Sequence, residues 1–289
     1  MGRIDAKRVK DVLGTEQMQI DLKPQRSIST VYCDYKMDVT KLHEYIKKKK
    51  KEKGWEDLTY FHAFLTGLGR VVYHRPKLNR FVANRHIWEH NDVILSFVAK
   101  IAFEDKSEEL MTQIFFDEHD NLQTISKKIY DKVHAVRSGK SEKKGANDVV
   151  DKLAGLPNPI RIPIIGFLKW LDKKGKLPKS IQEDNLYYSS MIVSNLGTLK
   201  CDAILHNIND FGTVSVFTTM GEVKEQDVYI DGKKEKRLIC GFGVNLDERV
   251  ADGYYFIKSV KMLQYLFDNP ELLEQDKIEK IDLPKEYFI

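Results

Sequence analysis

The sequence predicts a mixed α/β fold, and three observations carry that expectation. Strand-like and amphipathic helix-like patterns alternate through the first half, the last third is rich in β patterns, and the chain closes with a strand, a charged turn and a long amphipathic run. The closing run is Asn245-Leu246-Asp247-Glu248-Arg249-Val250-Ala251-Asp252-Gly253 followed by Tyr254 to Phe267. Charged side chains crowded where a strand meets a helix are costly to hold unless the turn supplies partners, which marks this turn as a candidate site.

Taken in order, Arg3 to Gln19 is polar with weak helical periodicity, and residues 1–24 read as an N-terminal arm before one domain spanning 25–289. Ser27 to Asp38 alternates as a strand, and Asp38-Val39-Thr40 starts a helix that runs to about Lys53 with Leu42, Tyr45 and Ile46 on one face. Its lysine run, Lys47 to Lys51, reads as a solvated face. Thr59 to Val72 sets Phe61, Phe64, Leu65, Leu68 and Val72 at helical spacing, so a buried helix is expected there. Phe81-Val82 and Ile87-Trp88 form a small hairpin, Val93 to Phe103 and Met111 to Phe116 longer strands, and Leu122 to Val136 another helix with Ile125, Ile129 and Val133 inward. Ser138 to Gly145 is a polar linker, and Asp148 to Leu156 a short helix.

The segment Pro157 to Leu171 is mainly apolar, carries Trp170 and is flanked by lysines. Its first reading is a helix packed on the core or on another subunit; a lid or tunnel wall for an acyl chain comes next, and membrane-surface contact through Ile160 to Leu171 last. It is too short to span a bilayer. Strands then follow at Tyr187 to Ser194, Thr213 to Met220, Val228-Tyr229 and Arg237 to Leu246, the last two joined by Asp231-Gly232, a strong hairpin signal.

Composition bounds the function. With 289 residues, 42% hydrophobic and 10% aromatic, the chain buries a large core. Its 47 basic and 43 acidic side chains nearly cancel to +4, so nucleic acid is not implied. Three widely spaced cysteines argue against a disulfide framework and a zinc cluster, and no apolar leader or spanning segment occurs, so a reduced cytoplasmic setting is expected. His86 and His90 flank a strand, where four residues separate them by about 13 Å, so no metal site is expected. No glycine-rich phosphate loop or G-x-S-x-G elbow is present; Gly241-Phe242-Gly243 lies inside a strand pattern and signals a bulge or close backbone approach.

The final turn is also where a family likeness becomes specific. Asp247 to Gly253, continuing to Asn269-Pro270-Glu271-Leu272-Leu273, resembles the end of the 2-oxo acid dehydrogenase acyltransferase catalytic domain, and of the related chloramphenicol acetyltransferases, where the turn carries His-x-x-x-Asp-Gly. Ile192-Val193-Ser194-Asn195-Leu196-Gly197 resembles the segment bearing an oxyanion-binding serine, and Val216 to Gly221 the strand that follows it. Met37 to Leu42 and Arg75 to Asn79 match two N-terminal landmarks, so the likeness runs in order over about residues 25 to 275.

The resemblance implies a two-layer α+β fold, a chloramphenicol acetyltransferase-like mixed sheet flanked by helices, assembled as a homotrimer with active sites in clefts between neighbours. It further implies acyl transfer from acyl-coenzyme A to a small-molecule acceptor, with no metal. Carried over by position, Ser194 is the oxyanion donor, Asp252 the turn organiser that pairs with an arginine, and Glu248 stands where the family has its histidine base. A thiol near 8.5 and a histidine near 6.5 differ by about two units, or roughly 2.7 kcal/mol uphill for proton transfer. For glutamate near 4.3 the gap is about four units, roughly 5.7 kcal/mol, which burial to about 6–7 would largely close. The chain contains no segment resembling a lipoyl or subunit-binding module, so the expectation is a free-standing transferase or a catalytically silent trimeric binding homologue that keeps the cleft.

Overall fold

The computed structural model describes residues 2–100, 109–138, 146–277 and 281–288. In chain order the elements are β1 (Ala6–Arg8), α1 (Gly14–Leu22), β2 (Thr30–Asp38), α2 (Thr40–Lys49), α3 (Tyr60–His74), β3 (Arg80–Ala83), β4 (His86–His90), β5 (Val93–Lys100), β6 (Glu109–Phe116) and α4 (Leu122–Arg137). There follow α5 (Ala146–Ala154), α6 (Asn158–Lys173), α7 (Lys179–Gln182), β7 (Met191–Asn195), β8 (Val216–Ile230), β9 (Lys233–Asp247) and α8 (Gly253–Asp268). The end of the strand expected to reach Phe103, and most of the linker expected at Ser138 to Gly145, lie outside the described residues.

A six-stranded sheet in the order β2-β9-β8-β7-β5-β6 forms one layer. It is mixed: β7 runs parallel to both β8 and β5, while β2–β9, β8–β9 and β5–β6 are antiparallel. The second layer is helical. Phe64, Leu65 and Leu68 of α3 and Leu263, Leu266 and Phe267 of α8 pack on Cys240, Phe242, Val244 and Leu246 of β9, all in one buried cluster with Ile125 and Ile129 of α4 and Leu42 of α2. Burying these side chains at helical and alternating spacing is the main favourable term in the fold. A smaller antiparallel sheet, β1-β4-β3, draws in the N-terminus through Lys7 opposite Glu89.

The hairpin at Asp231-Gly232 forms as the dipeptide predicts, with φ of 49° and 76°. The strands it joins are longer than their hydrophobic pattern suggests: β8 and β9 are 15 residues each. Their outer halves are exposed and held by cross-strand ion pairs, Lys236–Glu225 at 2.6 Å and Lys234–Asp227 at 2.9 Å, so no apolar alternation marks them.

Gly243 meets the close backbone approach expected of it, a Cβ there standing 3.0 Å from Ile204 O, whereas Gly241 faces the Asp202 carboxylate. The irregular stretch at Asp202 to Leu205 crosses the non-helical face of the sheet here, and a Cβ on Gly241 would stand 2.3 Å from Asp202 Oδ1. On the neighbouring strand a Cβ on Gly221 would stand 2.5 Å from Ala203 N, beside the bulge between Met220 and Val223.

Of the two packings expected for Pro157 to Leu171, on the core or on another subunit, the first is not what this chain shows. A helix forms, α6, yet Ile160, Ile162, Phe167 and Trp170 are all more than half exposed. Among the described residues no helix is long and apolar enough to cross a membrane.

Candidate active site

The turn between β9 and α8 is built on a buried carboxylate. Asp247 closes β9, its amide donating to Ser215 O at 2.9 Å, and its side chain is fully buried. Two residues on, Arg249 folds back and binds it bidentately: Nε donates to Oδ1 at 2.8 Å and Nη2 to Oδ2 at 2.7 Å. Arg26 approaches the same carboxylate at 3.8 Å while donating to Asn209 O at 2.7 Å and Gly212 O at 3.0 Å. Burial pulls the Arg26 guanidinium below its ordinary value, with Asp247 opposing. Arg249 Nη1 also donates to Lys23 O at 2.9 Å, so the turn is tied to the end of the N-terminal arm.

Glu248 sits on the outside of this knot. Its amide donates to Ser29 O at 3.0 Å, and its carboxylate is ion-paired with the Lys23 ammonium, the two side chains being 29% and 38% exposed. Asp247 and Arg249, its neighbours in sequence, satisfy each other and leave Lys23 as the charge that faces Glu248. Asp252 is exposed and caps α8, accepting from Tyr255 N at 2.8 Å. The carboxylate that arginines grip is therefore that of Asp247.

Ser194 lies at the far end of β7, half-buried, pairing in register with Thr219 of β8. The turn after it is latched down, with Leu196 N donating to Met220 O at 2.9 Å and Gly197 N to Asn195 Oδ1 at 3.1 Å. Since Val216 pairs with Leu246, Glu248 falls about five residues along and two strands across from Ser194, or roughly 19 Å at ordinary strand rise and spacing. One chain does not bring Ser194 and Glu248 together; it does keep Glu248 and Asp252 on one turn.

Sequence reasoning missed Lys23 and Arg26. Both stand more than two hundred residues from the turn, and neither belongs to a motif, so nothing local signals them. His90 is buried, its ring nitrogens 2.8 Å from Asn79 O and Thr213 Oγ1, and burial pushes it down to about 4. It is a structural residue of the small sheet. Among the described residues no group of three histidine, cysteine, aspartate or glutamate side chains is placed to hold a metal.

No protein-family model and no curated protein matches the chain. Solved structures do. A dihydrolipoamide acetyltransferase from Azotobacter vinelandii superposes with a TM-score of 0.61 at 17% identity, over 92% of this chain and 93% of that one. A probable dihydrolipoamide acetyltransferase from Listeria monocytogenes gives 0.59 at 16% identity over 91% and 95%, and a chloramphenicol acetyltransferase 0.54 at 8% over 91% and 98%. In the Azotobacter enzyme a serine, a histidine and an asparagine have been investigated for their role in catalysis, the last two four residues apart.

The fold is thus that of the acyltransferases. More closely, this chain has the architecture shared by 2-oxo acid dehydrogenase acyltransferase cores and chloramphenicol acetyltransferase.

Proposed function

We propose that this protein is an acyl-coenzyme-A-dependent acyltransferase that works as a homotrimer, with Glu248 of one subunit facing Ser194 of the next. The reading rests on one observation: an acyltransferase fold carries Ser194 at a strand end and Glu248 and Asp252 four residues apart on the β9–α8 turn, the interval between the Azotobacter histidine and asparagine. The separation of roughly 19 Å within one chain is what a site shared between subunits requires. Ile28, Tyr32, Ile204 and Leu205 are exposed around the non-helical face of the sheet and suit a subunit contact.

In the proposed step Glu248 takes the proton of an acceptor thiol or hydroxyl, whose sulfur or oxygen attacks the thioester carbonyl carbon. Ser194 donates to the tetrahedral oxyanion, which collapses and expels the coenzyme A thiolate; that thiolate recovers the proton from Glu248. Asp252 sets the first turn of α8, and Asp247 with Arg249 and Arg26 fixes the position of Glu248.

The Lys23–Glu248 ion pair favours a second reading, a silent trimer that binds acyl-coenzyme A without transfer, because the carboxylate a base would use is engaged by an ammonium. Acyl-coenzyme A turnover across an acceptor panel separates the two. Loss of transfer in Glu248→Gln supports a working glutamate. Transfer that appears only in Glu248→His supports a kept pocket with a lost base. No turnover in any variant, and no rise in melting temperature with coenzyme A, refutes both.

A further inference from the structure

α6 turns much of its apolar surface outward, with Ile160, Ile162, Phe167 and Trp170 more than half exposed. Ile160, Pro163, Phe167 and Trp170 recur at i, i+3, i+7 and i+10 and form one exposed stripe, with the Phe167 and Trp170 rings stacked 5.8 Å apart at 20°. Ile162 and Ile165 are exposed beside Lys169 and Lys173. The helix is held by its last turn: Asp172 is buried, its carbonyl accepting from Arg3 Nη1 at 2.8 Å and its carboxylate from Arg3 Nη2 at 3.2 Å. This anchor presents the stripe outward rather than folding it back.

Charge selects the occupant. From Arg161 to Lys179 the chain carries Arg161, Lys169, Lys173, Lys174, Lys176 and Lys179, and its only acid before Lys179 is the Asp172 already committed to Arg3. A contact of α6 with α6 of a second copy would set this cluster against itself. Nor does α6 wall either of two cavities, one at His90, Gln113 and Tyr188 and one at Leu68, Phe242 and Leu263. Sixteen residues make a helix about 24 Å long, short of the roughly 30 Å needed to span a bilayer, but suited to lying in its surface with lysine stems splayed toward headgroups.

We propose that α6 docks the protein on a lipid surface that carries anionic headgroups, with Ile160, Phe167 and Trp170 inserted at the acyl boundary and the surrounding lysines on the headgroups. The proposal is independent of the acyltransferase reading, and its test measures no turnover.

The full chain is sedimented with vesicles of phosphatidylcholine, alone or mixed with phosphatidylglycerol, and tryptophan emission is followed. Of the three tryptophans Trp170 is 52% exposed, Trp55 is half-buried and Trp88 is 6% exposed, so a vesicle-induced blue shift that disappears in Trp170→Phe reports on α6. The expected result is salt-sensitive binding to the mixed vesicles only, abolished by Phe167→Glu and weakened about fivefold by each of Lys169→Gln and Lys173→Gln. Circular dichroism of Phe167→Glu is expected to match the parent, as the replaced ring is exposed. Three results overturn the proposal: no binding to mixed vesicles, equal binding to neutral ones, or an oligomer that Phe167→Glu dissociates, which would make a second copy the occupant. Should Phe167→Glu fail to fold, the lipid dependence of the parent and the Trp170→Phe shift still decide.

Discussion

Removing the carboxylate at Asp247 tests which acidic residue holds the site together. In Asp247→Ala, Arg249 loses two charge-assisted hydrogen bonds, at 2.8 and 2.7 Å, and keeps its bond to Lys23 O. Arg26 loses the carboxylate it faces at 3.8 Å. Both guanidiniums are buried, at 2% and 3% exposure, so neither regains water. Breaking a buried pair by deleting one partner costs about 3–5 kcal/mol, and about 4 is expected here. Over 289 residues the unfolding entropy near the midpoint is about 600 cal/mol/K, which turns that loss into a fall of about 6–7 °C in melting temperature. Glu248→Ala removes only a half-exposed pair and should cost about 1 kcal/mol or less. Thermal and urea unfolding of both variants measure the contrast. Equal losses, or a fall of under about 1 kcal/mol for Asp247→Ala, would refute the view that this buried knot sets the turn.

Other outcomes follow from the same geometry. Asp252→Ala removes the cap of α8 and should lower stability by about 1 kcal/mol in urea unfolding, which Asp252→Asn largely restores. Gly221→Ala forces a Cβ to within 2.5 Å of Ala203 N; a loss of about 1–3 kcal/mol is expected, with faster proteolytic cleavage between Lys200 and Leu205. His62 and His90 are both pushed by burial down to about 4, whereas the unfolded chain holds histidine near 6.5. Below 6.5 the unfolded state binds more protons, so stability present at neutral pH is lost as pH falls from about 6.5 to about 4, by up to roughly 1.4 kcal/mol per pH unit per histidine. Melting temperatures across that window should fall less steeply in His90→Gln, and an unchanged slope would count against the assignment.

Much of the core was legible because its residues report their own surroundings. Phe64, Leu65, Leu68 and Val72 repeat at helical spacing in α3, which is buried from His62 to Val72, and Asp231-Gly232 marks its turn because both positions need positive φ. Elements stabilised by distant partners left no such trace. β1 is three residues paired with β4, and the outer halves of β8 and β9 are joined by charges across strands, so neither shows an apolar period. At the site, the resemblance singled out Ser194, Glu248 and Asp252, but the residues that hold Glu248 come from the arm and the start of the domain.

By itself, then, the chain's sequence indicated an α/β architecture through local periodicity, and its short motifs carried the likeness to the acyltransferases and singled out the charged turn between β9 and α8. Only the tertiary structure decided that Asp247 is the carboxylate clasped by Arg249 and Arg26, that Lys23 meets Glu248, and that Ser194 stands roughly 19 Å away in the same chain. It also decided that the apolar face of α6 is turned outward. The physical reason is common to all of these: partner choice, separation and exposure depend on which segments meet in space, and side chains more than two hundred residues apart carry no mark of one another along the chain.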